Sequence, residues 1–145
     1  MTIKIFLLVC FSLFLSGCSQ LPKSDQAMPI GISVLPEEEV FVSAELSNGK
    51  IMNVTRIDAV KDPSKTITFK LAQTDMGMML SVKNPFPVAI KYHIDMIDLK
   101  GAPHQTSSCP AMANGGAYES WPHAIPKLVI SDIRPVEGGS FSCVY

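Results

Sequence analysis

The side chains with most chemical reach are sulfur and imidazole. Met76, Met78 and Met79 stand together, Met52, Met96 and Met112 lie elsewhere, and the histidines are His93, His104 and His123. Thioethers are soft ligands for Cu(I), and imidazole suits copper and zinc. The spacing argues against a preformed site. No histidine pair has His-x-x-x-His or another ligand spacing. Met76 and Met78 alternate in phase with Leu80 and Val82, which places both in a core, while Met79 points the other way. His93 lies beside Lys91 and Asp95 on the polar side of a strand. His104 and His123 share one long loop and could converge on zinc or copper. No metal ligand is assigned.

Catalytic groupings are sparser still. No serine occupies a Gly-x-Ser-x-Gly elbow, and Gly138-Gly139-Ser140 belongs to a turn with no base nearby in sequence. Asp95 and Asp98 could be the paired carboxylates of glycoside hydrolysis, but they suit solvation and strand ending better. No catalytic residue is expected. Lys and Arg number 12 against 13 Asp and Glu, with no basic run that would attract nucleic acid.

These residues sit on a β scaffold. Val40 to Ser47 and Lys50 to Ile57 flank Asn48-Gly49, the strongest short hairpin signal. That turn sets Leu46 opposite Ile51 and Val42 opposite Thr55. Asp62-Pro63-Ser64-Lys65 is a turn, and Ile67, Phe69 and Leu71 then share a face. After Asn84-Pro85-Phe86-Pro87 breaks the ladder, Val88, Ile90, Tyr92, Ile94 and Met96 alternate with Ala89, Lys91, His93 and Asp95. Residues 101–126 read as a long Pro- and Gly-rich loop, with a short strand around Ala117 to Ser120. Lys127 to Ile133 and Ser140 to Tyr145 finish the chain as strands. Six to eight short strands of this kind predict an all-β, antiparallel, immunoglobulin-like sandwich over residues 40–145. Within the loop, Tyr118, Trp121 and His123 form an aromatic cluster that suits partner binding. The alternative is that Trp121 folds back over the core edge.

The N-terminus carries an address. Lys4 precedes an apolar run from Ile5 to Leu15, broken only by Ser12. This is a secretory n-region and h-region, and about 16 Å of helix is too short to span a membrane. Leu15-Ser16-Gly17-Cys18 resembles the lipobox of bacterial lipoproteins. The resemblance implies a signal peptide over 1–17 in a signal helix, and lipidation of Cys18 as the only covalent addition, with no other cofactor. With Ser19 rather than Asp after the cysteine, it also implies the outer membrane, facing the periplasm. The mature charge, without Lys4, is 11 basic against 13 acidic residues, or −2. Residues 18–39, with Pro22, Pro29 and Pro36, read as a tether of about 25 Å reach. Ile30, Ile32, Val34 and Leu35 offer an edge strand inside it.

With Cys10 in the discarded segment and Cys18 lipidated, Cys109 and Cys143 are left to pair in an oxidising compartment. Residues 80–101, with Asn84-Pro85 ending one strand and Gly101 ending the next, resemble the signature of immunoglobulin-like LEA-2/WHy domains. That resemblance supports the fold class and transfers no function. The functional expectation is a membrane-held binding or structural module serving an envelope protein partner or a secretion assembly. The alternatives are a periplasmic copper- or zinc-binding lipoprotein and a small envelope hydrolase or an inhibitor of one.

Overall fold

A computed structural model describes residues 27–138 and 141–143. The signal segment 1–17, Cys18 and the first part of the tether lie outside the described residues. The described residues form nine strands, most of them on alternating apolar residues: β1 (Ile32–Val34), β2 (Glu39–Ser47), β3 (Lys50–Ile57), β4 (Thr66–Thr74), β5 (Gly77–Lys83), β6 (Ile90–Ile97), β7 (Pro103–Thr106), β8 (Gly116–Trp121) and β9 (Lys127–Pro135). They form two antiparallel sheets, ordered β1-β9-β6-β7 and β3-β2-β4-β5-β8. The described residues contain no α-helix. The all-β sandwich is therefore as expected. β1 is the edge strand that Ile32 and Val34 offer inside the stretch read as tether, and β7 is an added strand in the stretch read as loop.

The core lies between the sheets. Val40, Val42 and Ala44, Ile67, Phe69 and Leu71, and Met78, Leu80 and Val82 point inward from three strands of the larger sheet. Ile90, Tyr92 and Ile94, with Leu128, Ile130 and Val34, answer them from the smaller one. Each large apolar side chain so buried stabilises by about 1.5–3 kcal/mol. Phe69 and Tyr92 meet edge to face across the sandwich, with ring centroids 5.9 Å apart.

Two bulges set the register. Asn48 and Gly49 both have positive φ, as the hairpin requires, and Leu46 pairs with Ile51. The expected pair of Val42 with Thr55 does not form. Val42 faces Arg56, because β3 carries one extra residue between the Ser43–Thr55 and Glu45–Met52 pairs. Asn53, at φ 54°, absorbs it. In the other sheet β9 carries the extra residue opposite β6, and Asp132, at φ 49°, absorbs it. The β9 bulge keeps Ile130 and Ile133 both facing the core, whereas beyond the β3 bulge Arg56 takes the inward register opposite Val42 and Ile57 lies opposite Phe41 on the outer side.

Two other expectations are corrected. Met76 is 85% exposed, because the ladder closes with Thr74 opposite Gly77 and leaves Asp75-Met76 as the turn. The inward series starts at Met78. No final strand forms over Phe141–Cys143. Cys143 in that segment is tied to Cys109 by the disulfide, and the rest of the expected strand, Ser140, Val144 and Tyr145, lies outside the described residues. β9 ends at Pro135, still paired with Ile90, and the Val136 amide still donates to the Ala89 carbonyl.

Candidate functional site

The end of the sandwich beyond Ile97 holds an apolar groove. β6 leaves the sheet at Asp98, and the chain returns through Leu99-Lys100-Gly101 into β7. Asp98 builds this turn. One carboxylate oxygen accepts from the amides of Lys100 at 2.8 Å and Ala102 at 2.9 Å. The other lies 3.0 Å from Nε2 of His104. The hydrogen bond from His104, then that from the Ala102 amide, holds Asp98 below the usual carboxylate range. A turn whose polar groups are satisfied locally leaves its apolar tip unsupported, and Leu99 is 93% exposed.

Opposite the turn runs the segment between β8 and β9. Its Ile125 is buried and anchors it to the core. Between the two lies a groove of about 470 Å³, floored by Met96, Ile97, Ile125 and Pro126 and edged by His104 and His123. The two histidines expected to converge do line one groove. Among the described residues, no group of three or more His, Cys, Asp or Glu is arranged to hold a metal ion. Leu99 was not a candidate on sequence. The signal was present, since a large apolar residue between Asp98 and Lys100-Gly101 has no strand to alternate with.

Tyr118, Trp121 and His123 do not form one cluster. Trp121 is a core residue, 8% exposed, and its indole N–H donates to Oγ1 of Thr106 at 3.0 Å. It folds back over the core edge, as the alternative reading had it, and its bond to Thr106 joins the edge strands β7 and β8. Tyr118 is three positions earlier on the same strand, so it points to the opposite face and is 75% exposed. His123 lies past the strand, in the groove wall.

The remaining buried polar groups are structural. Asn84 is almost fully buried where the chain crosses between sheets. Its side-chain nitrogen donates to the carbonyls of Val88 at 2.8 Å, Met112 at 3.0 Å and Ala111 at 3.3 Å. Its oxygen accepts from the Phe86 amide at 3.0 Å. Cys109 and Cys143 are bonded, with Cα atoms 4.1 Å apart and 34 positions between them in sequence. Glu119 faces inward and accepts from the Cys109 amide. Burial pushes its carboxyl pKa up against the pull of that bond. The Tyr92 hydroxyl has no partner within the described residues. Burial, and then the charge of Glu119, drives its pKa well above the ordinary phenol value.

His93 lies 3.3 Å from Asp95 on the outer side of β6. It faces out of the sheet as expected, half-covered by its neighbours. No family model, curated protein or solved structure matches the chain, so its function has to be read from these surfaces.

Proposed function

We propose that this protein is a lipid-anchored envelope lipoprotein. Lipid on Cys18 holds it at the outer membrane, facing the periplasm, and it acts as a non-catalytic binding or structural module. Its partner is a protein of an envelope or secretion assembly, which inserts an apolar side chain into the groove beside Leu99. The observation that carries this reading is the pairing of a 93% exposed leucine with a concave apolar floor. A lone exposed leucine is ordinary, but one standing over an apolar concavity rimmed by polar groups has the form of a binding site.

The path of the chain supports the orientation. β1 pairs Ile32 with Ile130 and Val34 with Leu128, so the chain enters beside Asp132. The groove lies beyond the other end of β9, at Pro126, about 20 Å away at the rise of a strand. A lipid on Cys18 would reach the domain through the dozen residues before Ile30. The groove would then face away from the bilayer, toward a partner.

The test is capture from membranes with the full chain. Leu99→Asp should abolish recovery of the native partner without moving the melting temperature, since the side chain makes no core contact to lose. Cys18→Ala should release the protein into the soluble fraction. A Leu99→Asp protein that still recovers the same partners would overturn the groove. A Cys18→Ala protein that stays in the membrane would overturn the anchor.

A further inference from the structure

The outer face of the larger sheet carries a second cleft, unlike the groove in every chemical respect. The strand register places side chains there in two cross-strand rows. One runs Phe41, Thr68, Lys83, and the other Glu39, Lys70, Ser81, Tyr118. Between them lies a cleft of about 630 Å³ with Phe41 on one wall and Tyr118 on the other. Phe41 and Tyr118 stand on strands three spacings apart, about 14 Å. At the Gly116 end, a Cβ would come within 2.0 Å of the Val82 carbonyl oxygen, so the floor there stays backbone.

The polar groups of this face are uncommitted. The hydroxyls of Thr68 and Ser81 make no hydrogen bond among the described residues, and neither Lys70, Lys83 nor Glu39 makes an ion pair there. Lys83 and Glu39 line the cleft itself, and Lys70, in the same row as Glu39 and Ser81, adds a second ammonium group beside it. A protein interface would place apolar residues at the centre and polar ones at the rim. Here hydroxyls and charges form the centre, and the aromatic rings stand at the sides.

A sugar ring matches that arrangement. It offers an apolar C–H face to an aromatic ring and a perimeter of hydroxyls to Ser, Thr and Lys. We infer that this face binds an acidic glycan, with Tyr118 as the stacking platform, Thr68 and Ser81 reading hydroxyls, and Lys70 and Lys83 attracting the glycan's carboxylates. The 14 Å span accommodates a disaccharide. The cleft shares no residue with the Leu99 groove, so this inference stands apart from the protein partner proposed above.

The experiment presents immobilised polygalacturonate, muramyl-containing glycan strands and neutral dextran to the full chain, solubilised in detergent. Retention is expected on an acidic glycan and not on dextran. Tyr118→Ala should weaken that binding about tenfold, and Lys83→Gln should weaken it several-fold and reduce its salt dependence. Both side chains are exposed, so both variants should keep the native melting temperature. Leu99→Asp should bind glycan as the native protein does. Retention on no acidic glycan, equal retention on dextran, or native affinity in the Tyr118→Ala variant would each overturn the inference. So would a peptide that displaces nothing from the groove yet occupies the Tyr118 face.

Discussion

The two ends of the sandwich are built on opposite principles. At the end where the chain enters, the crossover at Asn84-Pro85-Phe86-Pro87 is locked to the strap around residues 109–116. Asn84 ties four backbone groups, the Asn84 amide donates to Gly115, and Ile90 and Ala111 exchange both of their backbone bonds. The disulfide fastens the same strap to the C-terminal segment. At the far end, the turn over Asp98 satisfies itself from within and leaves Leu99 in water beside an open apolar groove. One end uses its polar groups to fix the fold. The other confines its polar groups to a local turn and leaves apolar surface free. A module that is held at one end and recruits at the other would be built in this way.

The sharpest way to break the contrast is to remove the hub of the locked end. Asn84→Ala leaves the Phe86 amide and the Val88 carbonyl without their partner, while the Met112 carbonyl keeps its bond from the Gly115 amide. Each orphaned group costs about 1–3 kcal/mol, so the variant should lose about 4 kcal/mol in urea unfolding. A loss under about 1 kcal/mol would mean that the corner is not the lock described. The disulfide comes next. Cys143→Ser frees the strap and opens a loop of 34 positions, with an expected loss of about 3 kcal/mol in the chain-entropy account. The measurement is a thermal melt compared with and without reductant. A native protein whose melting temperature ignores reductant would contradict it.

Much of the locked end could be read from the sequence, though for partial reasons. The two cysteines, the Asn-Pro break and the alternation of Ile90, Tyr92 and Ile94 were each visible. What was hidden was that Asn84, read as a strand breaker, is also the hydrogen-bond hub. That depends on Ala111 and Met112, 27 and 28 positions away, which no local pattern connects to it. The bulges at Asn53 and Asp132 were hidden for another reason. A single inserted residue leaves apolar alternation intact on either side, and only a short polar residue tolerant of positive φ marks the place. β7 escaped because Pro103-His104-Gln105-Thr106 has no apolar alternation to detect, and an edge strand needs little. Tyr118 and Trp121 were grouped by sequence proximity, but three positions along a strand means opposite faces.

The smallest expected effect sets one carboxylate of each region against the other. Glu119 belongs to the locked part, through its bond to the Cys109 amide, and burial raises its pKa from the ordinary value of 4.5. Asp98 belongs to the open end, where His104 and the turn amides lower its pKa from 3.8. The signs follow from linkage. Above 4.5 the folded protein holds the Glu119 proton more tightly than the unfolded chain does, so this group makes stability fall as pH rises through its raised folded value. Asp98 does the reverse. Its stabilisation is present above 3.8 and disappears as pH falls through its lowered folded value. Carboxyl NMR titration should therefore place Glu119 above 4.5 and Asp98 below 3.8. Glu119→Gln keeps an oxygen to accept from Cys109 but removes the buried charge. The variant should gain stability at neutral pH, by less than either loss above, and its stability should no longer fall with rising pH above 4.5. His104→Ala should move the Asp98 titration up toward its ordinary value and leave that of Glu119 unchanged. If one variant shifted both titrations, the two ends would be electrostatically coupled, and the division between a locked end and an open end would have to be redrawn.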